Sequence, residues 1–185
     1  VRREVSRQGK KQERSTLKET ADMFRLKVGS GAWGKSVAYT IKKETSDLST
    51  GDFLNLLVII DGIRNPKEVF ELRSQFGKRF MLLAVMAPTE SIQGNIQRRK
   101  RKDEGEHILI NDEKILELYE SEMGASQPTH GHNVSACVEL ADLPILNNNG
   151  TLSELEEGVD LLVKKHILPL LQNNNGTIKT SAKTL

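Results

Sequence analysis

Asp61 and Arg64 are the residues whose types and spacing point most directly to chemistry. They close the apolar run LLVIIDGIRNP, residues 56–66. A carboxylate at the end of such a run can hold a metal-bound water or orient a substrate hydroxyl. The same group could instead cap the helix that opens at Pro66. Arg64 can fork onto a phosphate or carboxylate, or pair with Asp61 or Glu68 at the surface. Further on, Arg98, Arg99, Lys100, Arg101 and Lys102 form a basic cluster. Cations are favoured at a helix C-terminus by the macrodipole, and arginines on a lid can also close over transferring phosphates. The DEGEH that follows, residues 103–107, suits a mobile lid.

Two other patterns compete for attention. Gly29-Ser-Gly-Ala-Trp-Gly34-Lys35-Ser36 satisfies GxxxxGK[ST]. In a phosphate loop, successive N–H groups wrap the phosphates, with Lys35 reaching the β/γ oxygens and Ser36 holding magnesium. That geometry needs an apolar strand before the motif. Phe24, Leu26 and Val28 alternate, but Arg25 and Lys27 interrupt them and the stretch continues an amphipathic helix. His130 and His132 have no cysteine or carboxylate at ligand spacing, so they read as a surface loop and no metal site is assigned. Cys137, the single cysteine, falls on a helix with Val134 and Leu140 and reads as core.

The elements that must position these groups follow from periodicity. Ser15 or Thr16 can cap a helix whose apolar face is Leu17, Ala21 and Phe24. Gly29–Gly31 break it, and Trp33, Val37 and Ile41 mark a second helix. Leu54–Ile60 is a continuous apolar run of the kind found in a parallel strand covered on both faces. Asn65-Pro66 opens a helix that Gly77 ends. Phe80–Ala87 is a second strand stopped by Pro88. A helix over Glu90–Lys102, another over Lys114–Met123, and a polar loop over Gly124–His132 come next. Val134–Leu140 is helical, Leu143–Leu146 is a short strand, and Leu152–Leu171 is a long amphipathic helix. This alternation predicts an α/β fold, a three-layer sandwich around a parallel sheet. Ligands bind such sheets at the carboxyl ends of the strands, where Asp61, the loop after Ala87 and Asn147 converge.

The 185 residues suit one domain, placed at 1–171 with a basic segment at 1–14, a lid at 98–113 and a disordered tail at 172–185. At 37% apolar and 28% charged the chain is too apolar for full disorder, and a net charge of +2 neither demands nor excludes a nucleic-acid partner. No specific nucleic-acid binding is assigned. No run approaches the roughly 20 apolar residues of a bilayer span. No signal peptide precedes the first charges and one cysteine forms no disulfide framework, so a cytoplasmic setting is expected. The sequons at Asn133, Asn149 and Asn175 would matter only in a secreted protein. The chain opens on Val1 in a basic, helix-like segment and reads as a fragment whose first structural element is missing. The oligomeric state is not legible.

The segment LVIIDGIRNPKEVFELRSQFGKRFMLLAVMAP, followed by HGHNVSACVELAD and LNNNGTLSELEEGVDLL, resembles P-loop nucleotide-kinase-like proteins of the dephospho-CoA-kinase and nucleoside-monophosphate-kinase kind. The likeness extends over about Ser15–Leu171. It implies a three-layer P-loop-kinase sandwich without its first strand and Walker A loop, and it implies that Gly34 and Lys35 sit on a helix. It further implies Asp61 and Arg64 near the acceptor and metal, Arg99 and Arg101 as lid arginines, and Asn147 and Thr151 near an adenine. The implied cofactors are ATP and magnesium, and the implied partner is a nucleotide or nucleotide-like molecule. The expected function is ATP-dependent phosphoryl transfer to that acceptor. The chain departs from the family pattern at Ile92 and Asn95, where lid arginines are usual, and at Tyr119 and Ser121, where an acidic residue and an arginine are usual. These departures support the alternative of a non-catalytic pseudokinase, acting as a nucleotide sensor or a protein-interaction module. A third reading is an incomplete gene product with no activity of its own.

Overall fold

The structure is a computed structural model that describes residues 6, 7, 9, 14–49, 52, 56–88, 90–92, 94, 112–124, 129–147 and 151–169. Its described elements are helices α1 (Arg14–Val28), α2 (Ala32–Glu44) and α3 (Pro66–Phe76), strand β1 (Leu83–Met86), helices α4 (Asp112–Met123) and α5 (Val134–Glu139), strand β2 (Leu143–Leu146) and helix α6 (Leu152–Leu162). The last helix runs on as one π-helical turn over Val163–Ile167. The chain is α/β, with β1 and β2 paired in parallel and Leu83 opposite Leu143. A parallel pair needs a crossover connection, and α4 and α5 lie within it.

Local chemistry explains the α3 boundaries. Asn65 is the N-cap: its side chain accepts a hydrogen bond from the Lys67 N–H, and the Glu68 carboxylate returns a bond to the Asn65 N–H. Pro66 fills the first helical position, and Gly77 stops the helix at φ 56°. Asp61, one candidate for that cap, takes no part in it. At α1 the expected Ser15 or Thr16 cap is corrected, because the helix is already running at Arg14.

The core forms where α3, the entry to β1 and α5 meet. Val69 is fully buried and packs with Leu82 and Cys137, while Ile63, Phe80, Leu140 and Ala141 close around them. Asp142 ties the two strands at their start: its carboxylate accepts from the Leu82 N–H at 2.7 Å and from the Arg73 guanidinium at 2.8 Å. Cys137 is core, as its helical face predicts. Burial, with a smaller push from the Glu68 carboxylate, raises its thiol pKa to about 12. Native protein at pH 8 should therefore react with iodoacetamide on the order of 100-fold more slowly than the denatured chain. Labelling followed by mass spectrometry checks this, and equal rates in both states would contradict the burial.

Two expectations are corrected. Within the expected strand Leu54–Ile60, residues 54 and 55 lie outside the described residues and 56–60 form no strand. Leu57, Val58 and Ile59 are exposed, Ile59 at 82%. An apolar run becomes a parallel strand only when neighbours complete its ladder and cover both faces, and among the described residues no strand pairs with it. The second strand is shorter than Phe80–Ala87, at Leu83–Met86. Of the helix expected over Glu90–Lys102, residues 90–92 and 94 are helical and the rest lie outside the described residues. The same holds for the tail 172–185, for most of the basic segment 1–14, and for the lid 98–113 apart from 112 and 113. No helix among the described residues is long and apolar enough to cross a membrane.

Candidate functional site

Arg64 lies where the 56–63 segment turns into α3, and its neighbourhood is built by three layers of hydrogen bonds. The innermost is ionic. Arg25 of α1 donates to Glu68 of α3 through Nε at 2.8 Å and closes an ion pair through Nη2 at 2.8 Å, and both side chains are 4% exposed. Asp22 adds a second carboxylate at 3.0 Å from Arg25 Nη1. The other Glu68 oxygen accepts from the backbone N–H groups of Arg64 and Asn65, at 3.0 and 3.2 Å. One buried carboxylate thus neutralises an arginine and fixes the backbone that carries Arg64. Burial of such a pair is tolerable because both oxygens are fully engaged.

The second layer joins this turn to the 129–133 loop. Asn65, 1% exposed, donates through Nδ2 to the carbonyls of Thr129 and Gly131, at 3.0 and 2.8 Å. The Asn133 N–H donates to the Arg64 carbonyl at 2.7 Å. The third layer is the candidate site. Glu122, on the last turn of α4, receives both Arg64 Nη1 at 3.0 Å and His132 Nδ1 at 2.8 Å on the same oxygen, Oε2. His132 is 3% exposed, whereas the Arg64 side chain is 41% exposed. An ionised carboxylate only accepts, so Nδ1 of His132 carries the proton towards Glu122.

Gly124 makes this meeting possible. It ends α4 at φ 84°, and a Cβ there would overlap the His132 carbonyl oxygen and the Asn133 Cα. Only glycine lets the helix end abut the loop closely enough to bring Glu122 to His132.

The expected site residues divide accordingly. Arg64 belongs to the cluster just described, but its side chain pairs with Glu122 and not with Asp61 or Glu68. Asp61 is exposed, and among the described residues its carboxylate makes no ion pair. Asn147 extends the β ladder, donating its N–H to the Met86 carbonyl at 2.7 Å. Thr151 is the N-cap of α6 in a capping box with Glu154, so its hydroxyl is taken up by the helix. Arg99 and Arg101 lie outside the described residues. His132 does not lie in a surface loop, because Asn65 and Glu122 draw the 129–133 stretch inwards. Among the described residues no three His, Cys, Asp or Glu side chains group as metal ligands.

Glu122 went unseen in the sequence, Glu68 was weighed only as a surface partner of Arg64, and Arg25 was noted only as an interruption of an apolar alternation. The only available signal was the Asn65-x-x-Glu68 spacing of a capping box. The GxxxxGK[ST] match is a helix break followed by a helix. Gly29 takes φ 112°, α2 begins at Ala32, and Lys35 is exposed on its first turn. Gly34 is buried against α3, where a Cβ would stand 2.9 Å from the Glu68 carbonyl oxygen. Its absent side chain serves helix packing.

The chain is 31% identical over 104 residues to a UPF0200 protein of Methanosarcina mazei, covering 56% of the chain and 51% of that relative. It is 30% identical over 113 residues to a UPF0200 protein of Pyrococcus horikoshii, covering 59% and 53%. A UPF0200 protein of Methanosarcina barkeri is 27% identical over 176 residues, covering 94% of the chain and 77% of the relative. The matched chain thus spans about half the length of the first two relatives. No family model and no solved structure matches. These findings correct the resemblance to P-loop nucleotide kinases: the relatives bear UPF0200 names and none bears a kinase family name.

Proposed function

We propose that this chain handles a phosphorylated, nucleotide-like molecule at Arg64, and that its reaction is ATP-dependent phosphoryl transfer to that acceptor. The observation that carries the reading is the Arg64–Glu122–His132 constellation. Glu122 holds one guanidinium nitrogen in place, and the half-exposed remainder keeps donors that can fork onto a phosphate. A buried histidine beside a fixed arginine is an arrangement suited to anion recognition with proton transfer. Magnesium in such a reaction travels with the triphosphate and takes one or two protein carboxylates, and Asp61, three residues before Arg64, is the exposed candidate. A three-layer sandwich and a cytoplasmic setting belong to the same proposal.

A second reading, a nucleotide sensor without catalysis, draws on a different observation. The GxxxxGK[ST] segment that could have cradled a triphosphate is a helix break and a helix.

Calorimetric titration with a nucleoside 5′-monophosphate and with Mg-ATP tests both readings, alongside an assay for phosphoryl transfer. Arg64→Ala should weaken monophosphate binding about 10–100-fold, the size expected for charge-assisted hydrogen bonds. Unchanged affinity in that variant would defeat the assignment of the site. Binding without transfer would favour the sensor.

A further inference from the structure

We propose that the groove between β2 and α6 binds an aliphatic carboxylate, a ligand with an apolar chain and one negative end. The groove holds about 400 Å³, within the roughly 300–1,000 Å³ of ligand sites. None of Arg64, Glu122 and His132 lines it, and nothing in the phosphoryl-transfer reading is needed for it. One wall is β2, through Leu143 and the buried Ile145. The other is a single stripe of the last helix. Gly158, Leu161, Leu162, Lys165 and His166 follow the i, i+3, i+4, i+7, i+8 spacing of one helix face. A stripe that only packed on the sheet would stay apolar at its last two positions. Here it becomes basic.

Cations near a helix C-terminus are favoured by the macrodipole, but that preference does not set them in line with an apolar stripe. Lys164, the neighbour, pairs with Asp160 at 3.4 Å, whereas among the described residues Lys165 and His166 have no hydrogen-bond or ion-pair partner. Among the described residues no carboxylate lines the groove. Two features of the helix suit it to a ligand. A Cβ at Gly158 would meet nothing within 4 Å, so the space beside the stripe is open. The turn that carries Lys165 and His166 is π-helical, closed by the Leu168 N–H on the Val163 carbonyl, and such turns recur at functional sites. The charge selects the head group. Lys165 brings one positive charge, which a carboxylate matches, whereas a phosphate monoester carries about 1.5–2 negative charges at neutral pH. His166 offers a ring N–H for the second carboxylate oxygen.

Calorimetric titration of the full chain with decanoate, decanol and decyl phosphate, each below its micelle-forming concentration, tests this. Decanoate should bind at one site per chain, about tenfold or more tighter than decanol, the size of a charge-assisted hydrogen bond. Lys165→Gln should bring decanoate down to the decanol affinity. Gly158→Leu extends a side chain into the open groove and should abolish decanoate binding. Its melting temperature should hold or rise, since leucine is the better helix former. No saturable decanoate binding, equal affinity for decanoate and decanol, or an unchanged affinity in either variant would overturn the assignment. Tighter binding of decyl phosphate would overturn the choice of carboxylate. Sedimentation of the same samples covers a protein occupant. A dimer that decanoate does not dissociate and that Gly158→Leu abolishes would give the groove to a second copy of the chain and defeat the proposal.

Discussion

Replacing Arg25 with alanine should lower the stability of the chain by about 3–5 kcal/mol, the cost of leaving one member of a buried ion pair without its partner. Glu68 would keep its two backbone donors and lose both guanidinium bonds, so a carboxylate 4% exposed would stand against the Val69–Leu82–Cys137 core without its counter-charge. Most domains hold only about 5–15 kcal/mol in total, so the variant should melt roughly 6–20 °C below the parent. Denaturant unfolding with Trp33 fluorescence as the probe measures it. The Lys18–Asp22 pair on the same helix provides the control: Lys18→Ala should cost about 0–1 kcal/mol, because an i,i+4 pair contributes little and Asp22 keeps Arg25 as a partner. A loss near 1 kcal/mol for Arg25→Ala would mean that the pair is not buried as described. The double change Arg25→Leu with Glu68→Gln should recover part of the loss, since no net charge would remain inside.

The second large effect separates two neighbours in one motif. Gly34→Ala should destabilise by about 1–3 kcal/mol, because the new methyl has no room beside the Glu68 carbonyl oxygen at 2.9 Å and the Glu71 Cβ at 3.1 Å. In an open helix the same change would be worth about 1 kcal/mol in the opposite direction. Lys35→Ala, one residue on and exposed, should stay within about 0.5 kcal/mol of the parent and bind Mg-ATP with unchanged affinity. Parallel melts and titrations of the two variants settle whether GxxxxGK[ST] is packing or a phosphate cradle. Loss of ATP binding in Lys35→Ala would restore the cradle.

How much of this was legible in the sequence depended on how local the cause was. Asn65, Pro66 and Gly77 delimit α3 through their own backbone chemistry, and they marked it correctly. Leu143–Leu146 was likewise found at its true limits. Residues 56–60 misled because strand formation belongs to the pair of strands and not to one run of apolar residues. Arg64 was found as a candidate, but its partner was not, since Glu122 sits 58 residues away with nothing nearby to single it out. His132 looked like a loop residue because the bonds that bury the loop come from Asn65 and Glu122, on elements distant in sequence. Gly34 was read first as part of a motif, when the requirement it meets is a helix crossing.

The long reach of these bonds has a consequence for how the chain is made. Arg25 meets Glu68 across 43 residues, Arg64 meets Glu122 across 58, and Asn65 meets Gly131 across 66. At about 5–20 residues per second of synthesis, Arg64 waits roughly 3–12 s for its carboxylate to be added. The Arg25–Glu68 lock can close first and hold the arginine's backbone ready during that interval. Both members of the Arg25–Glu68 pair are therefore synthesised before Glu122, and a product that ends between residues 68 and 122 has both members of that pair and lacks the carboxylate that Arg64 meets.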